Sequence, residues 1–415
     1  MQVYLVGGAV RDGLLGLPVR ERDWVVVGAT PEEMERAGYR SVGKEFPVFL
    51  HPQTQEEYAL ARLERKVAPG YRGFKVEFSP AVTLEEDLRR RDLTVNAMAQ
   101  AADGTLVDPY GGQRDLAARV LRHVGPSFVE DPVRILRLAR FAARWPDFQV
   151  APETLALCRR MVADGEVAAL VAERVWQELS RGLMEARPSR MLQVLRDCGA
   201  LAVLLPEVDR LYGVPQRAEY HPEVDTGVHL EMVLDLSARL QAPLPVRYAC
   251  LVHDLGKGTT PPAEWPRHIG HEGRSARLQA GLADRWRVPT ECRELGDVVA
   301  REHTHVHASA PLGAAALVRL LTRCDAWRRP QRFEQVLLAC ECDARGRMGF
   351  ADSAYPQRPR LQAVLDTVLG VATDSIAAHA LSTGVTGVKV GQMIHAARVA
   401  AVAQTLDNPT SLRDE

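Results

Sequence analysis

The sequence predicts an α+β fold, with a mixed-sheet head in residues 1–121 and helices in the rest of the chain. Short β-branched runs that end at a glycine or a turn, as strands do, are confined to the head. After residue 121, longer patterns with a helical period take over. Prolines typical of helix starts punctuate this second part, at Pro132, Pro152, Pro188 and Pro206.

The elements of the head follow from local signals. Strands are expected at residues 3–6, 23–27, 46–50, 57–61 and 104–107. One helix should begin after Thr30, a capping hydroxyl that is followed by proline and two acids. Another should begin at the capping box formed by Thr83 and Glu86, and should carry residues 89–98.

Composition divides the remainder of the chain into four segments. A helical neck is expected at 122–212, a linker rich in proline, glycine and acids at 213–226, a histidine-rich helical block at 227–330, and further helices at 331–415. Because domains usually hold about 100–200 residues and the chain has 415, two to four domains are expected.

Charge and composition exclude several classes of protein. The chain has 52 Lys and Arg against 53 Asp and Glu, so its net charge of −1 argues against binding nucleic acid by bulk charge, although a local basic groove stays possible. No run approaches the ~18 apolar residues of a membrane helix. Seven scattered cysteines fit a reduced compartment. With glycines at positions 7 and 8 in place of a signal peptide, these features predict a cytoplasmic protein that contacts no membrane.

Two motifs near the N-terminus suit phosphate and metal binding. Residues 7–12, Gly-Gly-Ala-Val-Arg-Asp, follow a strand and open a helix, where backbone N–H groups and Arg11 can contact phosphate oxygens. The alternative is an ordinary tight turn. Glu21 and Asp23 lie two residues apart at a strand edge, so their carboxylates can converge on Mg²⁺. The alternative for this pair is a solvated loop.

A helix predicted after Pro132 carries a stripe of arginines. At 100° per residue, they fall within about 120° of one face. The arginines are Arg134, Arg137, Arg140 and Arg144. No acid follows in that helix before Asp147, so no pair four residues apart neutralises the stripe. The alternative to phosphate binding is a surface helix whose arginines lay their stems along it.

Four motifs occur in a fixed order: Gly-Gly-x-x-Arg-Asp from position 7, acid-x-Asp from 21, Arg-Arg-Asp-x-x-x-Asn-Ala from 90, and Glu-Asp-x-x-Arg from 130. Together they resemble the class II tRNA nucleotidyltransferases, which comprise the CCA-adding enzymes and bacterial poly(A) polymerases. The continuation resembles the bacterial CCA enzymes with a C-terminal HD domain. The resemblance implies a polymerase-β-like nucleotidyltransferase head that adds CCA to tRNA from CTP and ATP, without a template, and releases pyrophosphate.

The resemblance also implies roles for single residues. Glu21 and Asp23 would be catalytic and hold Mg²⁺, and Asp131 and Arg134 would read the edge of the base. The nucleotide contacts would be Gly8, Arg11, Arg91, Asp131, Arg134, Arg137 and Arg140. The family pattern has aspartate where this chain has Glu21, whose side chain is longer. Glu57, at the start of a strand, is a candidate for a third carboxylate. Asp131 could instead pair with Arg134 or cap the helix before Pro132.

In the histidine-rich block, the order His…His-Asp…Asp resembles the HD phosphohydrolases. The resemblance implies a divalent transition metal, with nickel preferred, and hydrolysis of phosphomonoesters and 2′,3′-cyclic phosphates. Imidazole with carboxylate suits a metal that activates water. The expected ligands are His229, His253, Asp254, Asp325 and, as a fifth, His271. His305 and His307 are expected to be solvated, because a stretch rich in Ala, Pro and Gly follows them.

Other functions stay open at this point. A poly(A) polymerase with the same head is disfavoured, because the chain has the HD block and no basic tail. Because Glu21 stands where the family has aspartate, it supports the alternative of an HD phosphohydrolase whose head only binds nucleotide. A tRNA-binding protein without catalysis is disfavoured by the full set of metal and phosphate residues. The expected partners are tRNA, CTP and ATP, and no protein partner is evident.

Overall fold

In a computed structural model of the protein, residues 1–42, 48–66 and 74–407 are described. The chain divides into two compact units, Met1–Leu204 and Leu205–Glu415, and each is treated by itself. The boundary between the units falls before the segment 213–226 that composition predicts as a linker.

The first unit has eleven strands among its described residues, and seven of them form one mixed sheet. Its described strands are β1 Gln2–Val6, β2 Asp23–Val27, β3 Arg40–Val42, β4 Val48–Leu50, β5 Glu57–Leu60, β6 Arg62–Lys66, β7 Phe74–Phe78, β8 Ala99–Ala101, β9 Leu106–Val107, β10 Val120–Leu121 and β11 Gln149–Val150. Seven strands form one sheet in the order β3-β4-β5-β2-β1-β8-β9. The pair β2–β5 is parallel and the other neighbours are antiparallel.

Alternate residues of β2 supply the two faces of this sheet, as the two-residue period of a strand requires. Val25 packs in one buried cluster with Val6 and Leu88. Val26 packs in the other with Met34 and Phe49. The sheet is therefore covered on both faces, which explains why β2 reads as a continuous apolar run.

The predicted strands of the head are confirmed, with small shifts, by β1, β2, β4, β5 and β9. Residues 46 and 47 of the predicted strand 46–50 lie outside the described residues. The hairpin β6–β7 was missed, because the sequence of β6 is Arg-Leu-Glu-Arg-Lys and shows no run of apolar residues. A strand whose sequence is mostly charged lacks the alternation of apolar and polar residues from which strands are predicted.

Most helices of the first unit begin where the sequence signals place them. The described α-helices are α1 Gly8–Leu14, α2 Pro31–Arg36, α3 Leu84–Arg89, α4 Gly112–Ala117, α5 Val133–Arg144, α6 Pro152–Ala163, α7 Ala172–Leu183, α8 Pro188–Asp197 and α9 Ala200–Leu204. Six of these, α1, α2, α3, α5, α6 and α8, begin at the predicted positions, whereas the starts of α4, α7 and α9 were not predicted. Thr30 and Thr83 each form a capping box, with Glu33 and Glu86. Two backbone N–H groups per helix are satisfied in this way.

The prediction of one helix through residues 89–98 was wrong. Helix α3 ends at Arg89, and a short 3₁₀ turn at Thr94–Asn96 follows. The cause is Asp92, whose carboxylate accepts hydrogen bonds from Leu93 N at 2.8 Å and from Asn96 Nδ2 at 2.9 Å. A side chain that bonds the nearby backbone in this way competes with the helical hydrogen bonds.

The described part of the second unit has helices and no strand. They are α10 Pro206–Asp209, α11 Thr226–Arg239, α12 Leu244–Val252, α13 His271–Trp286, α14 Thr290–His307, α15 Ala314–Arg323, α16 Pro330–Arg345, α17 Gln357–Leu369, α18 Thr373–Ser382 and α19 Val388–Asp407. Helices α12 and α14 pack together at the centre, against α11, α13 and α16. The histidine-rich part of the sequence therefore lies at helix–helix contacts.

One stretch of the described chain, Gln357–Ser382, is long and apolar enough by length and composition to cross a membrane. In the structure it is two helices, α17 and α18, separated at Gly370. Leu361, Leu365 and Val368 of α17 are buried inside the protein. A single stretch of this kind is weak evidence and does not indicate a membrane protein.

Candidate functional site

The turn between β1 and α1 needs glycine at its first position. Gly7 has φ = +67°, in the left-handed region that other residues rarely adopt. A Cβ on Gly7 would lie 2.8 Å from Arg91 Nη1, whereas one on Gly8 would make an ordinary contact with Arg11. Glycine is therefore strictly required at Gly7, whereas the predicted nucleotide contact is its neighbour Gly8. Arg91 packs over this turn and pairs with Asp87 at 3.3 Å.

Arg11 is held rigidly beside this turn. It is only 4% exposed, and its Nε donates to Asp12 Oδ1 at 2.8 Å. Its Nη1 donates to Asn96 Oδ1, and its guanidinium lies 4.7 Å from the centre of the Trp145 ring. Burial lowers the pKa of Arg11, while the charge of Asp12 opposes this effect. These contacts join the glycine turn to the Arg-Arg-Asp-x-x-x-Asn motif.

Glu21 and Asp23 lie in one cleft. The cleft has a volume of about 640 Å³, and its lining includes Gly8, Arg11 and both carboxylates. Asp23 keeps contact with solvent, yet the surrounding walls desolvate its carboxylate enough to raise its pKa. Glu21 raises the pKa of Asp23 further and Arg91 lowers it. The structure therefore brings the two acids together with Gly8 and Arg11. The lining of this cleft does not include the other predicted nucleotide contacts, Arg91, Asp131, Arg134, Arg137 and Arg140.

Glu57 stands beside Asp23 in the sheet. The parallel pair β2–β5 places Asp23 opposite Glu57 in register. Paired residues on neighbouring strands point to the same side of a sheet. Glu57 is exposed, so its carboxylate is available at this edge. The register thus agrees with its choice as a candidate third carboxylate.

The arginine stripe on α5 is neutralised by acids from other elements. Arg137 Nε lies 2.7 Å from Asp92 Oδ2, and Arg140 Nε lies 2.6 Å from Glu178 Oε2. Although burial raises the pKa of Asp92, Arg137 and hydrogen bonds from neighbouring groups hold it well below its ordinary value. Helix α5 is buried along most of its length, so the alternative of a surface helix with exposed arginines does not apply.

Asp131 and Arg134 are fixed by separate partners. The carboxylate of Asp131 accepts two hydrogen bonds from Arg174, at 2.9 and 2.7 Å, and also one from Val133 N at 3.2 Å. Arg134 is buried and donates to the backbone carbonyls of Ser127 and Arg90, at 2.8 and 2.6 Å. The hydrogen bond from Val133 N ties Asp131 to the start of α5, although the capping position of that helix is Pro132, and it coexists with the bidentate ion pair.

A second candidate site lies in the second unit, where α11, α12, α13, α14 and α16 bring histidines and aspartates together. We call it the histidine cluster, and its buried members are His229, His253, Asp254, His271, His303 and Asp343. Two groups of three donors within the cluster have all ligand atoms within 4.8 Å of one another, namely His229, His253 and Asp343, and Asp254, His271 and His303. A third such group joins His229 to His221 and Glu223. His253 and Asp254 occupy the C-terminal end of α12, and His271 begins α13.

The imidazoles of the histidine cluster are oriented by their Nδ1 atoms. His253, His271 and His303 each place Nδ1 at 2.8 to 3.0 Å from a backbone carbonyl. A carbonyl can only accept, so Nδ1 carries the hydrogen and Nε2 of the neutral ring keeps its lone pair. In His271 and His303 the Nε2 atoms lie 3.3 and 3.5 Å from Asp254 Oδ1. This is the arrangement of histidines that bind a metal through Nε2.

The charges of the histidine cluster favour a bound cation. Burial lowers the pKa of His253, but Asp254 and Asp343 outweigh it and raise that pKa to about 10. Although burial opposes it, neighbouring cations hold the pKa of both carboxylates well below the usual range. Two buried atoms, His253 Nε2 and Asp254 Oδ1, have no hydrogen-bond partner among the described residues. Imidazoles, ionised carboxylates and unsatisfied donor atoms together fit a divalent metal.

The structure corrects the choice of Asp325. Its carboxylate lies 3.8 Å from Arg329 and 3.7 Å from Arg332, away from the histidine cluster. Asp343 of α16 lies among the histidines instead, with Oδ1 2.9 Å from His229 Nε2. The physical reason is that Asp325 lies in the turn after α15, whereas α16 packs directly against α11, α12 and α14.

The two neighbouring histidines behave differently. The side chain of His305 is 57% exposed, which confirms the prediction that it is solvated. His307 is half-buried instead, with Nε2 2.7 Å from Asp343 Oδ2 and Nδ1 2.9 Å from the hydroxyl of Tyr355. The prediction that His307 is solvated was wrong, because α14 continues through His307 and places it on the same side as His303, one turn earlier.

Four residues of these sites were missed by sequence reasoning. They are Trp145, Arg174, His303 and Asp343. The spacing of His303 and His307, four residues apart on one helix, could have revealed the first of the two histidines. No local pattern singles out Asp343, because α16 also carries Glu334 and Glu341. No local pattern marks Arg174, because its partner lies 43 positions away.

Comparisons with known proteins find relatives of this chain. A family model described as "Poly A polymerase head domain" matches residues 3–122, and one described as "Probable RNA and SrmB- binding site of polymerase A" matches residues 147–212. A "Multifunctional CCA protein" of Acidovorax ebreus (strain TPSY) is 70% identical over 98% of this chain and 96% of its own. Its namesake from Verminephrobacter eiseniae (strain EF01-2) is 67% identical over 98% and 99%.

Solved structures share the fold. A CCA-adding enzyme in complex with CTP has a TM-score of 0.63 and 22% identity, covering 100% of this chain and 92% of its own. A Thermotoga maritima CCA-adding enzyme complexed with tRNA has a TM-score of 0.63 and 21% identity, covering 97% and 87%. The fold, the head-domain match and the relatives together define the CCA-adding class of nucleotidyltransferases. At 70% identity over almost its whole length, the chain belongs to the family of multifunctional CCA proteins.

Proposed function

We propose that the first unit adds or repairs the 3′-terminal CCA of tRNA, using CTP and ATP without a nucleic-acid template and releasing pyrophosphate. The observation that carries the proposal is the single cleft lined by Glu21, Asp23 and Arg11. The printed names of the relatives, and the CTP and tRNA complexes of enzymes with this fold, support it. A cytoplasmic location and the absence of a protein partner are part of the same proposal.

Glu21 and Asp23 would hold Mg²⁺, with Glu57 as a third carboxylate. The donors fit, because hard divalent cations prefer oxygen ligands that substrate phosphates complete. Bound there, Mg²⁺ supplies Lewis-acid stabilisation of the charge on the α-phosphate. Gly8 and Arg11 would contact the nucleotide. Arg11 needs no reorganisation for this, because Asp12 and Asn96 already hold its guanidinium in place.

The remaining arginines would bind the triphosphate or the base. Arg91 packs over the glycine turn, and Arg137 and Arg140 are tethered to acids on other elements. Tethering fixes the direction of each guanidinium before the ligand arrives, which lowers the cost of ordering long side chains on binding. These three side chains would hold the phosphates in register with the carboxylates.

Asp131 and Arg134 would choose the base. A carboxylate accepts from the exocyclic amine that cytosine and adenine share, whereas uracil and guanine present a carbonyl there. Arginine donates to the ring nitrogen that cytosine and adenine also share. Arg174 holds Asp131 in a bidentate pair, and two backbone carbonyls hold Arg134. Such pre-organisation is what specificity by hydrogen bonding requires.

Replacing Asp131 by alanine should raise the use of UTP and GTP relative to CTP and ATP. Loss of the carboxylate removes the acceptor for the amine and the repulsion of the carbonyl, and a matched contact is worth ~1–3 kcal/mol of discrimination. The measurement is kcat/KM for each of the four nucleotides on a tRNA that lacks the next residue, with thermal stability followed in parallel.

Asp131→Asn separates base reading from helix capping. Asparagine is as good a cap as aspartate, so it keeps the bond from Val133 N, but it replaces one acceptor by an amide donor. Base reading predicts a shift toward UTP and GTP for this variant too. Full preference for C and A in both variants, with only thermal stability lost in Asp131→Ala, would show that Asp131 is a cap.

Glu21→Asp should leave nucleotide addition unchanged or make it faster. The substitution gives this chain the Asp-x-Asp pattern of the family, and aspartate and glutamate both bind Mg²⁺. Glu21→Gln is the matched control, since it keeps the length of glutamate and removes its charge, and it should lose most activity. A large loss in Glu21→Asp would mean that this cleft has adapted to the longer side chain, because displacement by about 1 Å can cost about 100-fold in rate.

A single assay separates the candidate functions of the head. The pure protein is given a tRNA without CCA and one nucleotide at a time. Our proposal expects CTP to be added first and ATP only after it. A poly(A) polymerase would instead add a run of A from ATP alone. A head that binds nucleotide without catalysis would extend no tRNA, whichever nucleotide is supplied.

For the second unit we propose a metal-dependent phosphohydrolase, which acts on phosphomonoesters and 2′,3′-cyclic phosphates. The histidine cluster lies at a cavity of about 620 Å³, lined by His271, His303, His307 and Asp343 among others. The cluster would hold a divalent transition metal, with nickel preferred. Because Asp343 belongs to it, the domain boundaries we propose are 1–121, 122–212 and a metal domain from 227 that extends beyond 330.

The bound metal supplies a polarised phosphate and an activated water. Hydrolysis consumes one water, whose oxygen bonds to phosphorus while one ester P–O bond breaks and the freed alcohol oxygen takes up a proton. Lys257 is placed to assist, since its Nζ lies 2.6 Å from Asp254 Oδ2 and it lines the cavity. Its positive charge would help to bind the negative phosphate.

A further inference from the structure

The cavity above the histidine cluster is more positive than one phosphate ester requires. Its lining includes Arg217, Lys257, Arg267 and Arg347, and a single carboxylate, Asp343. Asp343 already contacts three histidines, and Lys257 pairs with a carboxylate of the cluster. Three arginines therefore remain whose charge the cluster itself does not use.

Within residues 1–42, 48–66 and 74–407, these three arginines have no carboxylate partner. Other arginines of the same unit do, such as Arg285 with Glu207 at 2.7 Å and Arg323 with Glu302 at 2.8 Å. The Nε atom of Arg347 is buried and has no hydrogen-bond partner in the described part of the chain. Unpaired guanidinium groups around a cavity indicate an anionic ligand with more than one negative group.

Two exposed aromatic side chains also line this cavity. Tyr220 is 59% exposed and Phe350 is 44% exposed. They belong to different loops, which are joined by a hydrogen bond from Met348 N to Glu223 Oε2 at 3.2 Å. Exposed aromatic rings interspersed with arginines are typical of surfaces that bind single-stranded nucleic acid, where bases stack on the rings.

From these features we propose that the cavity binds the 3′-terminal nucleotide of a single-stranded RNA. The proposal rests on the phosphohydrolase function and names its substrate class. The terminal phosphate reaches the histidine cluster and the base stacks on Tyr220 and Phe350. Arg217, Arg267 and Arg347 contact the phosphodiesters on the 5′ side. A small ester without a base uses only the metal end of the cavity.

The test compares three substrates with the full-length, nickel-loaded protein. They are p-nitrophenyl phosphate, 2′,3′-cyclic AMP and an RNA pentanucleotide that ends in a 2′,3′-cyclic phosphate. The double variant Tyr220→Ala with Phe350→Ala should lower kcat/KM for both nucleotide substrates about tenfold, the size expected for one lost base stack. Hydrolysis of p-nitrophenyl phosphate should be unchanged.

Charge is tested by a second double variant, Arg267→Gln with Arg347→Gln. It should lower kcat/KM for the pentanucleotide alone and weaken its dependence on salt concentration, because fewer phosphates are neutralised. Arg319→Gln is the matched control: Arg319 is exposed on α15, has no carboxylate partner in the described chain and lies outside the cavity. The proposal is overturned if the variants lower kcat/KM equally for all three substrates, or leave kcat/KM for the pentanucleotide unchanged.

A binding measurement distinguishes failure of this proposal from failure of the phosphohydrolase function. A fluorescent pentanucleotide with 2′-O-methyl riboses and a 3′-phosphate is titrated by anisotropy into wild type and into both double variants. Weaker binding by the variants supports the RNA site even if wild type hydrolyses none of the three substrates. Equal binding by all proteins overturns it even if p-nitrophenyl phosphate is hydrolysed.

Discussion

Replacing Asp23 by alanine should abolish nucleotide addition to a tRNA that lacks CCA, while the fold and tRNA binding persist. Asp23 begins β2 and lies in the cleft with Glu21 and Arg11, where its carboxylate would hold Mg²⁺. Metal stabilisation of transition-state charge is worth several kcal/mol, so the rate of addition should fall at least about 10³-fold. The measurement is single-turnover incorporation of labelled CMP, with tRNA affinity determined separately.

Two further variants make this result interpretable. Asp23→Asn keeps the shape of the side chain and should lose as much activity as alanine. Because desolvation raises the pKa of Asp23, its ionised form is less favourable in the folded protein than in the unfolded chain. Asp23→Asn should therefore melt no lower than wild type at neutral pH. Glu35→Ala, on the exposed face of α2, should keep full activity. Near-normal addition by Asp23→Ala would refute the assignment.

Replacing His253 and Asp254 together by alanine should remove phosphatase and cyclic-phosphodiesterase activity and spare CCA addition. Both side chains are buried in the histidine cluster, and each belongs to a group of three donors. Their loss leaves two ligands in each group, too few to hold the metal firmly. The measurement pairs bound metal per protein with the rates of both reactions. A parallel loss of CCA addition would mean that the sites are coupled or that the variant misfolds.

The corrected ligand set supplies a matched pair of controls for this prediction. Asp343→Asn should abolish hydrolysis and Asp325→Asn should not, because only Asp343 contacts the histidines. After removal of metals with a chelator, Mg²⁺ alone should restore CCA addition and not hydrolysis, since imidazole ligands favour a softer metal. Hydrolysis restored fully by Mg²⁺ would contradict the transition-metal assignment.

Local signals in the amino-acid sequence predict the elements whose formation depends on a few neighbouring residues. The strands β1 and β2, the capping boxes at Thr30 and Thr83, and the helix starts at proline follow from local sterics and local hydrogen bonds. The acid-x-Asp and Gly-Gly motifs were also readable, because the members of each motif lie close together along one strand or one turn. For the same reason the sequence alone could place Glu21 and Asp23 side by side, and Arg11 next to the glycine turn.

Which distant side chains meet depends on how the helices and strands pack against one another. A helical pattern shows which residues share a face, but it does not show which other element covers that face. Asp92 and Glu178 neutralise the arginines of α5 from 45 and 38 positions away. Asp343 joins His229 across 114 positions, where the sequence favoured Asp325. A metal site needs donors within a few ångströms, and that distance is set by the packing of α16 against α11 and α12, which no local pattern specifies.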